Sequence, residues 1–372
     1  MPGILQKQKV AVIGISDVSG KTGTVNTGNM MHGAAARNLL YDYVNMPIRP
    51  WSEQEVEQIS AECSHIVVVT ANAVRPGAPD QHRFADSQQK IAENILRTDL
   101  PVVVFGLGVQ HKLGKLPEKT LPKATKLMLK VFSERSKQIA VRGHFTAEYL
   151  HSIGIKNVRV LGCQSCFYDV LPSFTAPEVR KNSENIAFNY TAPNREKNSI
   201  SMAVRNGFTM FGQGEAAEVE LLNGNPQLFN KSLKLRKFFW RTKLTKEEYI
   251  DWLQNRFHRF YDMPSWFEKI KQYDFSFGTR FHGNMVALQS GVPALWIVHD
   301  TRTMELCDYH ALPYLMLEDV EKMTDISQLL EATDYALFEK AYGENYARLY
   351  SYVDDSGIAH TMPAPESWLG NP

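Results

Sequence analysis

The sequence predicts an α/β protein with two Rossmann-like domains, each built on a parallel sheet, and an interdomain cleft. Short apolar runs recur along the chain, and helix-length amphipathic stretches separate them. This alternation is typical of parallel sheets whose two faces are both covered by helices. The length of 372 residues exceeds one ordinary hydrophobic core and fits two domains of typical size.

The first domain is predicted over residues 1–172. We expect its strands in five apolar runs, at 9–15, 65–71, 102–108, 138–143 and 158–162. A polar stretch at 172–184 then carries two prolines and no apolar period, so it is expected to be the linker.

The second domain is predicted over residues 185–330, with strands at 185–190, 199–205, 274–279, 293–298 and 314–317. Residues 206–262 fit the alternation of strands and helices poorly and carry several helix-like stretches, which predicts a helical insertion. A helical pattern also fills the first part of 331–372. We expect this C-terminal tail to pack back across the cleft.

Composition argues against a general nucleic-acid-binding protein. The 41 basic and 40 acidic residues give a formal charge of +1, so no global field attracts polyanions and no nucleic acid partner is expected. The four cysteines do not make a disulfide framework in a chain of this length, which favours the cytoplasm. The first apolar run is too short for an export signal, and no run approaches the ~18 residues of a membrane span.

One stretch, 231–246, interleaves basic residues with leucines and aromatic residues. Such a stretch can lie in the interface of an anionic membrane with its aromatic side chains downward. The other interpretation is a solvated helix whose aromatic side chains face the core. The pattern alone leaves both interpretations open.

A glycine-rich loop follows the first predicted strand. In GISDVSGKTGT (14–24) five residues separate Gly14 from Gly20, whereas a phosphate-binding P-loop has four at this place. We therefore expect a loop that lines the cleft and leads through Asn29 into the first helix.

A second such loop, GLGVQH (106–111), follows the third predicted strand. It has His111 in place of the third glycine of a dinucleotide fingerprint, so NAD is not expected. Gln110 and His111 are predicted to point into the cleft, although an ordinary tight turn explains the loop equally well.

The two cysteines of CQSC (163–166) have the spacing of metal ligands, but a structural zinc site needs two more ligands and the sequence has no second C-x-x-C pair. Packing after a strand explains these cysteines, so no metal is expected.

Strand ends in both domains carry residues suited to an anion. Arg142 closes the fourth predicted strand, at the sheet edge where ligands of open parallel sheets bind. Burying this arginine is costly unless it meets an anion, although a salt bridge to a neighbouring helix explains it equally well.

The stretch GTRFHG (278–283) lies where a strand pattern gives way to a helix pattern. Arg280 has a planar fork that grips a carboxylate or phosphate at two points. His282 titrates near neutral pH and can pass a proton. Amide groups of the helix that starts near Gly283 add positive potential. Together these features predict a site for one negatively charged group.

A neighbouring strand end, WIVHDTRTMEL (296–306), presents four polar or charged residues, His299, Asp300, Arg302 and Glu305. Packing alone explains two such strand ends poorly. We therefore predict that these side chains also contact a ligand.

The segment GTRFHGNMVALQSGVPALWIVHD resembles the signature of the polysaccharide pyruvyl transferases, which consists of R-x-H, an alanine five residues on (Ala287) and then G-x-P. GLGVQ, AVRGHFTAEYL and VLGCQSC are similar to the amino-terminal half of that family in order and spacing. The chain departs from the family pattern at Gln164, where proline is usual, and at Asn29, where an N-x-G-D motif would place aspartate.

The resemblance implies a GT-B-like fold and a particular reaction. Members of this family transfer pyruvate from phosphoenolpyruvate to two hydroxyls of a sugar, form a cyclic ketal and release phosphate, without an obligatory metal or cofactor. His282 is then the general acid or base. Arg280 and Arg142 bind the donor, together with Gly283 and Arg302. The second domain becomes the donor side and the first domain the acceptor side.

The implied acceptor is a saccharide of a polysaccharide or its precursor. In bacterial examples it is often carried on a lipid at the cytoplasmic face of the membrane, where 231–246 would provide a membrane contact. The expected contacts of donor or acceptor are Asn29, Gln110, His111, His299, Asp300 and Glu305.

Two rival functions stay open. The first is a nucleotide-sugar-dependent GT-B glycosyltransferase or epimerase, because many such enzymes carry two acidic residues eight positions apart, as Asp300 and Asp308 are. The second is a non-catalytic scaffold of polysaccharide assembly that has kept the fold.

Overall fold

The structure, a computed structural model, describes residues 8–14, 26–78, 82, 84–114, 117 and 120–365. These residues form two parallel six-stranded sheets with helices between successive strands, which confirms the predicted fold class. Most of the glycine-rich loop predicted at 14–24 lies outside the described residues.

The first sheet is formed by β1 (Lys9–Ile13), β2 (Asp42–Met46), β3 (Ile66–Val69), β4 (Val102–Leu107), β5 (Ile139–Val141) and β6 (Val158–Val160). Its strand order is β2-β1-β3-β4-β5-β6, with every neighbouring pair parallel. The helices between these strands are α1 (Gly28–Asn38), α2 (Glu53–Glu62), α3 (Ala85–Leu96), α4 (Lys123–Arg135) and α5 (His144–Ser152). A short 3-10 helix, Gln164–Phe167, follows β6.

The second sheet is formed by β7 (Ile186–Asn189), β8 (Thr209–Gly212), β9 (Phe257–Arg259), β10 (Phe275–Gly278), β11 (Ala294–Val298) and β12 (Tyr314–Met316). Its order is β12-β11-β10-β7-β8-β9, again parallel throughout. Its helices are α6 (Lys197–Arg205), α7 (Ala216–Leu222), α8 (Gln227–Lys231), α9 (Leu233–Arg241), α10 (Lys246–Arg256), α11 (Met263–Ile270), α12 (Phe281–Gln289), α13 (Thr301–His310), α14 (Leu317–Val320), α15 (Ser327–Glu331) and α16 (Ala336–Asp355).

The strand predicted at 199–205 is wrong, because these residues form α6. The backbone N–H groups of Asn198 and Ser199 donate to the Glu321 carboxylate at 2.9 and 3.0 Å, which satisfies the start of the helix. Gly207, with φ of +65°, follows its end in the left-handed conformation that helix C-termini favour. The alternating apolar residues favour a strand in the local pattern. The bonds to the distant Glu321 carboxylate, which that pattern does not contain, stabilise a helix instead.

Residues 206–262 are not a purely helical insertion. They contribute β8 and β9, which extend one edge of the second sheet, along with helices α7 to α10. Strand β2 was likewise absent from the predicted series. Four of its five residues are exposed or half-buried, so this edge strand lacks the apolar run that marks a central strand.

Each sheet has one face in a core of its own and one face in a shared core. In the first sheet, Val10 and Val12 belong to the shared core, while the alternate residues Ala11 and Ile13 pack on the outer side. The second sheet divides in the same way, with Trp296 in the shared core. The two sheets therefore enclose one continuous apolar centre.

Helix α16 lies against both halves of the molecule. The Tyr352 hydroxyl donates to the Val104 carbonyl at 2.8 Å in the first sheet, and Asn345 Nδ2 donates to the Tyr309 carbonyl at 3.1 Å in α13. The predicted helical C-terminal segment is therefore present and ties the halves together. Among the described residues, no helix combines the length and apolarity needed to cross a bilayer.

Helix α9 combines features of both interpretations of 231–246. Leu235 and Phe238 are buried in the core of the second sheet. Leu233 and Trp240 are 67 and 81% exposed on the surface beside the basic side chains of the same helix. Its aromatic side chains are thus divided between the core and the solvent.

Candidate active site

The carboxyl ends of the strands in the two sheets face each other. The backbone N–H of Thr27, at the start of α1, donates to the Gln213 carbonyl at 2.8 Å, just after β8. The backbone N–H of His111, beyond β4, donates to Thr301 Oγ1 at 3.1 Å at the start of α13. The loops after the strands therefore meet across the interdomain cleft, where open parallel sheets bind their ligands.

His282 lies in the first turn of α12, buried with only 7% of its surface exposed. Its Nε2 lies 3.6 Å from the sulfur of Cys163, which follows β6 of the other sheet. Burial, with the imidazole of His32 and the guanidinium groups of Arg142 and Arg302, holds the pKa of His282 well below its usual range. His282 is therefore neutral at pH 7, contrary to the sequence-based expectation that it titrates near neutrality.

The other neighbour of Cys163 is His32 of α1, which the sequence analysis missed. His32 Nδ1 lies 3.3 Å from Cys163 Sγ, and its Nε2 lies 3.0 Å from the Thr70 carbonyl oxygen. Burial and the charge of Arg142 lower the pKa of His32 to about 3. The three side chains come from sequence positions more than 100 residues apart, so no sequence motif links them.

Arg280 is held by a carboxylate of its own domain. Its Nη2 lies 2.6 Å from Glu215 Oε1, and its Nε donates to the Tyr190 carbonyl at 2.8 Å. Glu215 also accepts from the backbone N–H groups of Gln213 and Gly214. Much of the predicted anion fork is therefore engaged in a buried ion pair, with the side chains 14 and 3% exposed.

Arg142, just after β5, is 1% exposed and bonds only neutral oxygens among the described residues. Its Nε donates to the Gly106 carbonyl at 2.9 Å and its Nη1 to Asn72 Oδ1 at 3.0 Å. Its Nη2 is buried and has no hydrogen-bond partner in the described part of the chain. A buried cationic donor without a partner is costly, so this nitrogen keeps an unused hydrogen-bonding capacity inside the site.

The end of β11 adds a second donor of this kind. Arg302 Nη2 lies 3.5 Å from Asp300 Oδ2, but its Nε is buried without a partner among the residues described, as is His299 Nδ1. Burial alone would raise the pKa of Asp300, but Arg302, His299 and the hydrogen bonds from Thr303 lower it to about 2. Burial lowers the pKa of His299 to about 4 despite Asp300.

Several predicted contact residues have clear structural partners. Asp300 caps α13 by accepting from the Thr303 N–H at 2.9 Å, and it also accepts from Gln110 Nε2 at 3.1 Å. His111 Nδ1 lies 3.1 Å from the carbonyl oxygen of the neighbouring Lys112. The bond between Gln110 and Asp300 joins the loop after β4 to the start of α13 across the cleft.

Glu305 joins the two domains as well. Its carboxylate accepts from the Thr146 N–H at 3.0 Å and from Thr146 Oγ1 at 2.8 Å, at the start of α5. Burial raises the pKa of Glu305 to about 7. Gly143 must be glycine here, because a Cβ would lie 2.4 Å from Glu305 Cβ.

Gly283 and Asn29 lie close to the loop after β8. A Cβ at Gly283 would lie 2.3 Å from Gln213 Nε2, so close packing explains this glycine without a ligand. Asn29 is half-buried in the first turn of α1. The acidic pair considered for a nucleotide-sugar enzyme is also divided, since Asp300 is an N-cap while the exposed Asp308 accepts from the Tyr314 hydroxyl at 3.0 Å.

Glu196 is a further buried acid that sequence reasoning missed. Its carboxylate accepts from the backbone N–H groups of Thr191 and Ala192 and from Thr279 Oγ1, between 2.7 and 2.9 Å. Burial raises its pKa to about 7 despite these bonds. It supports the residue before Arg280 at the end of β10.

The chain belongs to the polysaccharide pyruvyl transferase family, whose sequence model matches residues 32–301. The match runs from His32 to Thr301 and so includes Arg142, Cys163 and His282. Family membership indicates a pyruvyl transferase with a saccharide acceptor. Among curated proteins, no sequence matches the chain significantly.

A solved structure shares the fold at low identity, and others are similar over most of their length. The Anabaena HepE protein, in complex with UDP and glucose, is 11% identical with a TM-score of 0.50, and the alignment covers 94% of this chain and 98% of that one. A UDP-GlcNAc 2-epimerase from Neisseria meningitidis, bound to UDP-GlcNAc, is 9% identical with a TM-score of 0.46, over 93 and 99% of the two chains. The two-domain fold is GT-B-like.

Proposed function

We propose that this protein transfers pyruvate from phosphoenolpyruvate to two hydroxyls of a sugar, forming a pyruvate ketal and releasing phosphate. The observation that carries the proposal is the set of unpartnered buried donors at the ends of β5 and β11, namely Arg142 Nη2 and Arg302 Nε. The positive charge of both residues lowers the pKa of His282, so both guanidinium groups lie within electrostatic range of that ring.

Phosphoenolpyruvate suits this arrangement because it carries a phosphate and a carboxylate side by side. Two cationic donors can hold both groups in a buried site, where charge-assisted hydrogen bonds are strong. The Arg280 pair with Glu215 then has a different task from the predicted one. It fixes the start of α12, so that the helix amides and His282 face the donor.

The chemistry requires movement of protons at three places. Carbon 3 of the donor gains a proton, and a sugar hydroxyl loses one as its oxygen bonds to carbon 2. The bond between carbon 2 and the phosphate oxygen then breaks, the second hydroxyl adds to carbon 2 to close the ketal, and its proton leaves with the phosphate. His282 is neutral before the donor binds, which suits it to accept the proton of the attacking hydroxyl.

An arriving anion changes the balance around His282. The negative charges of the donor offset the positive charges of Arg142 and Arg302. This raises the pKa of the His282 imidazole. The ring can then hold the proton it has accepted and return it at a later step. The site thus uses its fixed cations to keep His282 a base until the donor is present.

The first test is phosphate release from phosphoenolpyruvate in the presence of galactosides, glucosides and mannosides, followed by mass spectrometry of the sugar. We expect release coupled to a sugar heavier by one pyruvate ketal. No release with any acceptor, together with no binding of phosphoenolpyruvate, would contradict the proposal. Binding of a nucleoside diphosphate sugar in its place would favour a glycosyltransferase or epimerase, and binding of neither would favour a scaffold.

We also propose that α9 brings the protein to an anionic membrane at the cytoplasmic face, where a lipid-linked acceptor would lie. The exposed Trp240 and Leu233 provide an apolar contact, and exposed basic residues surround them, namely Lys234, Arg236, Lys237 and Arg241. A basic residue near such a surface contributes about 1 kcal/mol to binding.

The membrane contact is tested by sedimentation with vesicles of phosphatidylglycerol and phosphatidylcholine. Changing the four basic residues of α9 to glutamine should release the protein from the vesicles. The matched control changes four exposed lysines on or near α4, namely Lys123, Lys126, Lys130 and Lys137. Equal binding by the α9 variant and the wild type would rule out this contact.

A further inference from the structure

We propose that His32, Cys163 and His282 form a binding site for a thiophilic divalent metal ion of the zinc class. One ligand atom from each residue lies within 4.8 Å of the other two, and all three residues are buried. Imidazole nitrogen and cysteine sulfur are the donors that zinc and cobalt prefer in proteins. The pair in CQSC did not predict this site, since only one of its cysteines takes part.

The two separations from the cysteine sulfur match tetrahedral coordination. Zinc bonds of about 2.3 Å to sulfur and 2.0–2.1 Å to nitrogen place the sulfur and nitrogen atoms roughly 3.5 Å apart in a tetrahedron. The observed separations from Cys163 Sγ are 3.3 Å to His32 Nδ1 and 3.6 Å to His282 Nε2. The sulfur therefore already lies at a coordinating distance from each imidazole, and the two nitrogens lie within 4.8 Å of each other.

The hydrogen bond on the far side of His32 prepares the ring for a metal. A carbonyl oxygen only accepts, so the 3.0 Å contact with the Thr70 carbonyl requires the proton of neutral His32 to be on Nε2. The lone pair is then on Nδ1, the atom that faces Cys163 Sγ. A backbone carbonyl that fixes a metal-binding histidine in this way is a recurrent feature of metal sites.

The neighbours of the cluster can remain in place when the ion binds. The Ser165 hydroxyl donates to Cys163 Sγ at 3.0 Å and can keep donating to the thiolate. Gln164 Nε2 lies 3.0 Å from His32 Nδ1, and the ion would displace that contact. Its bond to the His32 carbonyl at 2.9 Å still holds the amide. Binding releases the thiol proton of Cys163 to the buffer.

Metal binding would also join the two domains. His32 and Cys163 belong to the first sheet domain, whereas His282 begins α12 in the second. Three protein ligands leave one position for a small oxygen ligand, as in sites where the metal remains accessible. A bound ion that contacts both domains therefore stabilises the folded protein against unfolding.

One consequence of the site rests on the proposed function. A neutral imidazole has one lone pair, and an ion bound at Nε2 of His282 occupies it. The ring then cannot accept the proton of a sugar hydroxyl, so zinc should inhibit transfer and a chelator should restore it.

The test uses the full chain, stripped of metal by a chelator and dialysed. Titration with Co²⁺ should produce the near-ultraviolet charge-transfer band of a cobalt thiolate with one ion per chain, and Zn²⁺ should abolish the band by competition. Cys163→Ser should abolish the band, and His32→Ala should weaken binding by more than about 100-fold, since even loss of an outer partner costs 10- to 100-fold.

The matched control is Cys166→Ser, because Cys166 is also buried, lies in the 3-10 helix that directly follows Cys163 and is outside the three-residue cluster. It should retain the band and the rise in melting temperature that the metal causes. Absence of a band in the wild type, or equal bands in the wild type and Cys163→Ser, would overturn the proposal. These readouts are independent of activity, so metal binding and pyruvyl transfer can succeed or fail separately.

Discussion

The ends of β5 and β10 each carry an arginine, and the two arginines have opposite surroundings. Arg280 pairs with Glu215 at 2.6 Å and bonds a backbone carbonyl, so its charge is compensated within the protein. Arg142 is more deeply buried, bonds only neutral oxygens among the described residues and keeps one donor without a partner. The first arginine is a brace of the fold, and the function proposed above assigns the second to the donor.

This difference teaches that an arginine at a strand end does not by itself indicate an anion site. The deciding feature is whether the folded protein places a carboxylate in contact with that arginine. His282 follows Arg280 by two residues, so the proposed base lies next to the brace at the β10 end, and the proposed grip on the donor lies at the β5 end. Substitutions at the two ends should therefore affect different measured quantities.

The largest effect is expected from His282→Ala. Loss of a general base should lower kcat by about 100- to 10,000-fold, while the affinity for phosphoenolpyruvate changes little. Transfer kinetics and calorimetric titration of the donor would measure both quantities. His258→Ala, at a half-buried histidine of β9, is the control. Turnover at the wild-type rate would remove His282 from the mechanism.

The next largest effect is a loss of stability at Arg280, the brace. Arg280→Met leaves the buried Glu215 without its cation, and we expect the free energy of unfolding to fall by about 3–5 kcal/mol. Urea unfolding followed by fluorescence measures the change. The double variant Arg280→Met/Glu215→Gln should recover part of this loss because no isolated charge remains. If the single variant were as stable as the wild type, Arg280 would not be a brace.

A smaller effect, on donor affinity, is expected at Arg142. Arg142→Met removes a charged hydrogen bond to the donor, which corresponds to about 1.5–3 kcal/mol, or roughly 10- to 150-fold in affinity. Its stability should change less than that of Arg280→Met, since no carboxylate is left unpaired. Calorimetry with phosphoenolpyruvate tests this, with the partly exposed Arg159→Met as control. Equal donor affinity in Arg142→Met and the wild type would contradict the assigned role.

The last effect is a gradual dependence on pH and concerns Glu305, the acid next to the β5 end. Its pKa is about 7 in the folded protein against 4.5 for an ordinary glutamate, so the folded state holds the proton more tightly. This stabilisation is complete below pH 4.5 and is lost as the pH rises from there through 7, by up to about 1.4 kcal/mol per pH unit. Glu305→Gln imitates the protonated acid and should flatten this part of the stability profile. An unchanged slope would show that Glu305 does not titrate there.

Much of the fold could be predicted from the sequence, because central strands of parallel sheets are continuous apolar runs. The runs containing β1, β3, β4, β7, β10 and β11 were all recognised. The prediction failed at 199–205, where a helix depends on a cap from Glu321, and at β2, an edge strand with little burial. Local periodicity does not contain such long-range partners.

For the candidate site, the sequence by itself determined that Arg142, Arg280 and His282 lie just after the carboxyl ends of strands. It determined this because apolar runs and glycine turns are local patterns. Only the tertiary structure decided that Glu215 holds Arg280, that Arg142 keeps an unpartnered donor, and that His32 and Cys163 meet His282. Partners of a buried charge or imidazole come from distant parts of the chain, and folding alone brings them within hydrogen-bond distance.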